Sequence, residues 1–202
     1  MSDHLPTSAA VDLTPLARQV AGLLDGVAEE CFAAPTPCAQ FRVADLLSHL
    51  LGLSVAFRDA ARERPGPATG ARSAGPDALR PALPEDWRGR LRYQLGELAA
   101  AWREPAAWEG ETQLGGAPLP ANLAGRHALN ELLLHGWDLA RATGQPFVCP
   151  QEAIEAAAAL LAGLDEAARA RAGLGPAREA PAGAGPLDRV VALGGRDPGW
   201  TP

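Results

Sequence analysis

Glu131 and His135 are the residues whose types and spacing could do chemistry. They lie in Asn130-Glu131-Leu132-Leu133-Leu134-His135-Gly136-Trp137-Asp138-Leu139-Ala140-Arg141-Ala142-Thr143-Gly144. This proline-free stretch predicts a helix that ends at Gly144, where glycine takes a left-handed conformation cheaply. Residues four apart on a helix share a face, with Cβ atoms about 5–6 Å apart. A carboxylate and an imidazole so placed can converge on one metal ion. His49, within Val43-Ala44-Asp45-Leu46-Leu47-Ser48-His49-Leu50-Leu51-Gly52-Leu53, supplies a second imidazole on another leucine-rich segment. Two histidines and one carboxylate, with a fourth position open, are a ligand set of catalytic zinc and also suit non-haem iron. The blander alternative is that Glu131 and His135 belong to a solvated polar stripe and that His49 is a satisfied core histidine.

Several neighbours could join the site. His127 is also four residues from Glu131 and is the runner-up ligand, although its place beside Arg126 near the helix start suggests more exposure. Asp138 can hydrogen-bond a ligating imidazole. It can equally pair with Arg141, three residues on, and that structural role is preferred. Trp137 reads as a core residue rather than a substrate platform. Cys38 could be a thiol nucleophile near a helix N-terminus, a place that can lower a thiol pKa, but a small buried filler is the preferred reading.

The elements that position these residues follow from apolar periodicity. Asp12 or Thr14 caps a first helix, with Pro15 in its first turn, running to about Glu30. Ala34-Pro35-Thr36-Pro37 makes a turn. A second helix runs from about Val43 to Arg64. Residues 65–84, rich in proline, glycine and alanine, read as a loop that either rims a pocket or merely links two helices. Pro84-Glu85-Asp86 opens a third helix whose buried face carries Leu91, Leu95, Leu98 and Trp102. Residues 108–119 contain Gly115-Gly116 and suit a short extended excursion or a hairpin. The His135 helix starts near Leu119 or Asn122. A fifth helix follows Cys149-Pro150 to about Ala172, and Leu187, Val190, Val191 and Leu193 mark a short docked helix or strand. The expectation is an all-α bundle in one domain over 1–202, with residues 1–11 and 174–202 as loose or docked tails.

Composition bounds the function. The 202 residues carry a net charge of -6 and include no lysine among 18 basic residues. That disfavours nucleic acid as a partner and excludes Schiff-base chemistry through lysine. Three cysteines, none in a CxxC pair, do not form a disulfide framework. No secretory signal or membrane-spanning run is visible. A cytoplasmic protein with reduced thiols is the default expectation. No GxSxG, Walker loop, dinucleotide glycine fingerprint or HExxH is present.

Three segments carry a family resemblance. Thr36-Pro37-Cys38-Ala39-Gln40-Phe41-Arg42-Val43-Ala44-Asp45-Leu46-Leu47-Ser48-His49-Leu50-Leu51-Gly52 resembles the "TPC…W.V.DLL.H..G" motif of a bacterial DinB-like family, which is related to the N-terminal domain of mycothiol-dependent maleylpyruvate isomerase. Glu131 to Gln145 resembles its second motif, and Asp188-Arg189-Val190-Val191-Ala192-Leu193-Gly194-Gly195-Arg196-Asp197-Pro198 resembles its "DRL.A..GRDP" tail. The resemblance implies a DinB-like four-helix bundle, here with an additional C-terminal helix and long loops. It also implies a divalent metal, zinc first with nickel or iron as alternatives, held by His49, Glu131 and His135. The activity it implies is thiol-dependent transfer or isomerisation. Mycothiol would be the co-substrate, held as thiolate by the metal to attack a small electrophile. Phe41 stands where the family usually has tryptophan. The isomerase proper has a second, C-terminal domain that contributes to its active site, and this chain is expected to be too short to contain it. The rival expectation is a non-catalytic bundle that binds a metal or small ligand, favoured if His127 or Cys38 closes the site as a fourth ligand. Metal-dependent hydrolysis is a third class, without a general base to support it. A homodimer is left open.

Overall fold

The computed structural model describes residues 10–62 and 83–202. His4 and nearly all of the 65–84 loop lie outside the described residues. Seven α-helices and one hairpin are present among those described: α1 Thr14–Leu23, α2 Val43–Ala61, α3 Trp87–Trp102, β1 Glu111–Leu114, β2 Ala117–Pro120, α4 Ala121–Ala142, α5 Gln151–Ala162, α6 Glu166–Arg171 and α7 Pro186–Leu193. The all-α expectation holds.

Both α1 and α2 pack against α3 and α4, so the bundle closes in the order α1, α3, α2, α4. Its centre is filled by leucine: Leu16, Leu46, Leu47, Leu50, Leu91, Leu95, Leu98, Leu129 and Leu132 are essentially sealed from solvent. The most central helix is α4. Elements pack on it from several sides, including α1, α2, α5 and the hairpin, so it is apolar around most of its circumference. In turn α5 carries α7 on its other flank.

Two predicted helices are shorter than their periodicity suggests. The first stops at Leu23 rather than Glu30, giving way to short 3₁₀ turns at Leu24–Gly26 and Glu29–Cys31. Gln145 accounts for this: its Nε2 donates to the Leu23 carbonyl at 2.9 Å, supplying a partner where a continuing helix would have supplied its own. Gly26 leaves room for that side chain, since a methyl there would collide with it. The fifth helix is divided at Gly163-Leu164-Asp165 instead of running to Ala172. Asp165 restarts it by accepting the Ala168 N–H at 2.7 Å, a helix-capping bond.

The hairpin is antiparallel, with Leu114 opposite Ala117. Gly115 and Gly116 both have positive φ, 60° and 78°, as a two-residue turn matching the strand twist requires. Thr112 Oγ1 donates to the Ala60 carbonyl at 2.7 Å and ties the hairpin to α2. The Leu187–Leu193 segment is helical and docked. No helix among the described residues is long and apolar enough to cross a membrane.

Candidate metal centre

Neighbouring helices α2 and α4 bring His49, Glu131 and His135 together. One ligand atom from each lies within 4.8 Å of the others. The Glu131 Oε2 atom is 3.3 Å from His49 Nε2 and 3.2 Å from His135 Nε2. The two imidazoles meet edge to face with ring centroids 4.8 Å apart. The polar-stripe alternative fails for His135, which is buried. His49 and Glu131 keep 17% and 21% side-chain exposure, so the cluster opens toward solvent on their side among the described residues.

Electrostatics favour charge on this cluster. Burial alone would raise the Glu131 pKa, but hydrogen bonds from His135 and His49 outweigh it and hold the carboxyl well below its usual range. Burial also opposes a proton on His135. Its hydrogen bonds to Asp138 and Glu131 reverse that and raise its pKa.

His135 Nδ1 lies 3.0 Å from Asp138 Oδ2 and donates to it. That bond leaves Nε2 for the cluster. Asp138 does not pair with Arg141, the partner preferred from sequence. Arg141 instead donates to the Trp200 carbonyl, because its position on α4 faces the C-terminal residues. The partner of Asp138 is Arg196, with Nη2 to Oδ2 at 3.0 Å and Nε to Oδ1 at 3.3 Å. Burial disfavours the Asp138 charge, yet Arg196 and His135 hold its carboxyl below the ordinary value. Arg196 is the participant that sequence reasoning missed. The available signal was a lone arginine in the tail motif Gly194-Gly195-Arg196-Asp197-Pro198, following an apolar helix.

The turn before α2 is built to present Phe41. The buried Thr36 hydroxyl reaches the carbonyls of Cys38 and Phe41 at 3.0 and 2.8 Å. Asp45 accepts the Arg42 N–H at 3.0 Å and starts the helix. The Phe41 ring then lies against His49, with centroids 4.9 Å apart, and meets His135 at 5.6 Å. Phe41 is therefore a wall of the site.

The remaining candidates are placed as follows. His127 is half-buried, less exposed than its neighbour Arg126 suggested, and stands outside the three-residue cluster. Burial lowers its pKa despite the attraction of Glu131. Trp137 is a core residue, with the Arg141 guanidinium 5.7 Å from its ring centre. Cys38 is buried five residues before α2 begins. Burial pushes its thiol pKa up, against the pull of Arg196, so Cys38 is the small buried filler favoured from sequence and not an activated thiol.

Comparison with known proteins gives one family. The family model described as the mycothiol maleylpyruvate isomerase N-terminal domain matches residues 13–140, more than half of the chain. No curated protein and no solved structure matches it.

Proposed function

Since the chain belongs to the mycothiol maleylpyruvate isomerase N-terminal domain family, we propose that it binds one divalent metal ion through His49, Glu131 and His135. We further propose that the bound ion serves transfer or isomerisation chemistry with mycothiol as co-substrate and a small electrophile as substrate. The observation that carries this is the convergence of two imidazoles and one carboxylate, from two helices, within 4.8 Å.

The donor set fits such an ion. His135 Nδ1 is committed to Asp138 at 3.0 Å, which directs Nε2 inward as a ligating nitrogen requires. Two nitrogens and one oxygen suit zinc first, with nickel or iron as alternatives. A divalent ion held there supplies Lewis acidity, which acidifies a thiol presented to it.

The protein's own groups do the rest. Glu131 and His49 are the more exposed ligands and face the side from which a co-substrate would enter. Phe41 covers the imidazoles with an apolar ring and restricts water there. Burial holds Cys38, in the field of the site, in its thiol form, which supports a co-substrate as the source of the nucleophilic sulfur. His127 and Cys38 stand outside the cluster. Among the described residues no fourth ligand joins the cluster, which supports an enzyme over a closed structural site.

The test is conjugation of mycothiol to a small electrophile such as 1-chloro-2,4-dinitrobenzene. Zinc-loaded wild type is expected to exceed the uncatalysed rate, and His135→Ala or metal-stripped protein to fall to it. Conjugation that survives either change contradicts the proposal. A metal-loaded wild type that gives no conjugation removes the transfer reading and leaves isomerisation or non-catalytic binding.

A further inference from the structure

The turn after α7 is built with unusual care for a tail. Gly195 has φ of 84°. Its N–H reaches the Ala192 carbonyl at 2.9 Å, and the Arg196 N–H reaches the Val191 carbonyl at 2.9 Å. This is a Schellman ending, which needs glycine at the left-handed position. Gly194 is required for a different reason. A methyl there would lie 2.6 Å from Leu134 Cδ2, one residue before His135. The two glycines therefore let α7 end directly against α4 and aim Arg196 inward.

Arg196 then uses all three nitrogens of its fork. Nη2 and Nε engage the two oxygens of Asp138 at 3.0 and 3.3 Å, and Nη1 donates to the Gly194 carbonyl at 2.7 Å. Arg196 is 5% exposed and Asp138 is fully buried. The Asp138 oxygen that takes Nη2 also takes His135 Nδ1. The carboxylate cannot swing without breaking a two-pronged bond, so the imidazole it holds cannot turn freely either.

We propose that Arg196 is a positioning residue of the metal site. It locks Asp138, and through it the direction in which His135 Nε2 points. The C-terminal turn, 56 residues past the segment that matches the family model, is thus part of the site. The proposal rests on the metal assignment made above and extends it to residues with no direct access to the ion.

Cobalt(II) titration of the full chain tests it, following visible absorption for wild type, Arg196→Gln, Arg196→Lys and His49→Ala. Thermal melting of each metal-free form checks folding. Wild type is expected to take up one Co(II), and His49→Ala to lose that uptake. Arg196→Gln is expected to weaken Kd by about 10–100-fold, the usual effect of removing a group that orients a ligand, and to shift the ligand-field bands. Arg196→Lys keeps the charge but not the fork, so it should fall between them. A folded Arg196→Gln with wild-type Kd and bands overturns the proposal while leaving the metal assignment standing. If Arg196→Gln does not fold, Arg196→Lys decides, and wild-type Kd and bands in that variant overturn the proposal. Wild type that binds no Co(II), or His49→Ala that binds as well as wild type, removes the metal assignment and the proposal with it.

Discussion

Gly136, between His135 and Trp137, offers a direct test of how tightly the site-bearing helix is held. An added methyl would lie 2.7 Å from Val20 Cγ2, and 2.8 and 3.0 Å from Phe147 Cε2 and Cζ. Val20 belongs to α1 and is completely buried. Phe147 belongs to the loop after α4. The clash therefore falls on two unrelated neighbours, and neither is the free end of a flexible chain. Replacing a helical glycine with alanine ordinarily gains about 1 kcal/mol. Forcing a methyl into a packed core costs about 1–3 kcal/mol. With overlaps this deep on both sides, the packing cost wins, and Gly136→Ala should destabilise by about 1 kcal/mol net. Gly52 and Gly96 are exposed on α2 and α3, with nothing within 4 Å of an added methyl. Gly52→Ala and Gly96→Ala should each stabilise by about 0.5–1 kcal/mol. Urea unfolding at constant m-value separates the two classes. In a protein of this size, each 1 kcal/mol also moves Tm by about 2–4 °C. Equal stabilisation by all three substitutions would refute the reasoning and mean that α1 and Phe147 do not press on α4 at the site.

Removing one partner of the buried pair, as in Asp138→Ala, strands the Arg196 charge and should cost about 3–5 kcal/mol. The double variant Asp138→Leu/Arg196→Met should recover most of that loss in the same unfolding assay, and failure of the double to exceed the single would count against the pair. Burial pushes the Cys149 thiol up to about 12, so about one molecule in ten thousand is ionised there at pH 8. Iodoacetamide should label this half-buried thiol far more slowly than a free one, as peptide mass spectrometry can follow, and rapid labelling would contradict the raised pKa. Contacts with Asp138 and Glu131 raise the His135 pKa, so its proton must leave before Nε2 can ligate. Zinc affinity should therefore fall as pH drops below that raised value and level off above it. Affinity flat between about pH 6 and 8 would argue against His135 as a ligand.

Much of the bundle is legible in the leucine periods. Leu91, Leu95, Leu98 and Trp102 recur at helical spacing and are all buried on α3. The Gly115-Gly116 pair announces its turn because only that residue adopts positive φ twice at little cost. Glu131 and His135 can be read as neighbours from spacing alone, since both lie on one helix. That His49 joins them is a tertiary fact. The sequence suggests it only through a second histidine on an apolar segment. What stays hidden has one physical origin, side chains reaching across long separations. Gln145 ends α1 from 122 residues away, and no local period at Leu23 foretells it. Arg196 takes Asp138 from 58 residues away, and Arg141, close in sequence, looks the better partner until the backbone shows which way each points. The Thr36-Pro37-Cys38 motif is similar. Its purpose, a hydroxyl clamp that lays Phe41 on two imidazoles, appears only when the loop is folded.

Metal content by mass spectrometry, on protein purified without an affinity tag, tests the central claim most directly. Wild type is compared with His49→Ala and Glu131→Ala. The account predicts about one divalent ion per chain in wild type and loss of that ion in both variants. A wild type that stays metal-free after incubation with zinc and repurification would contradict it, as would variants that retain the ion in full.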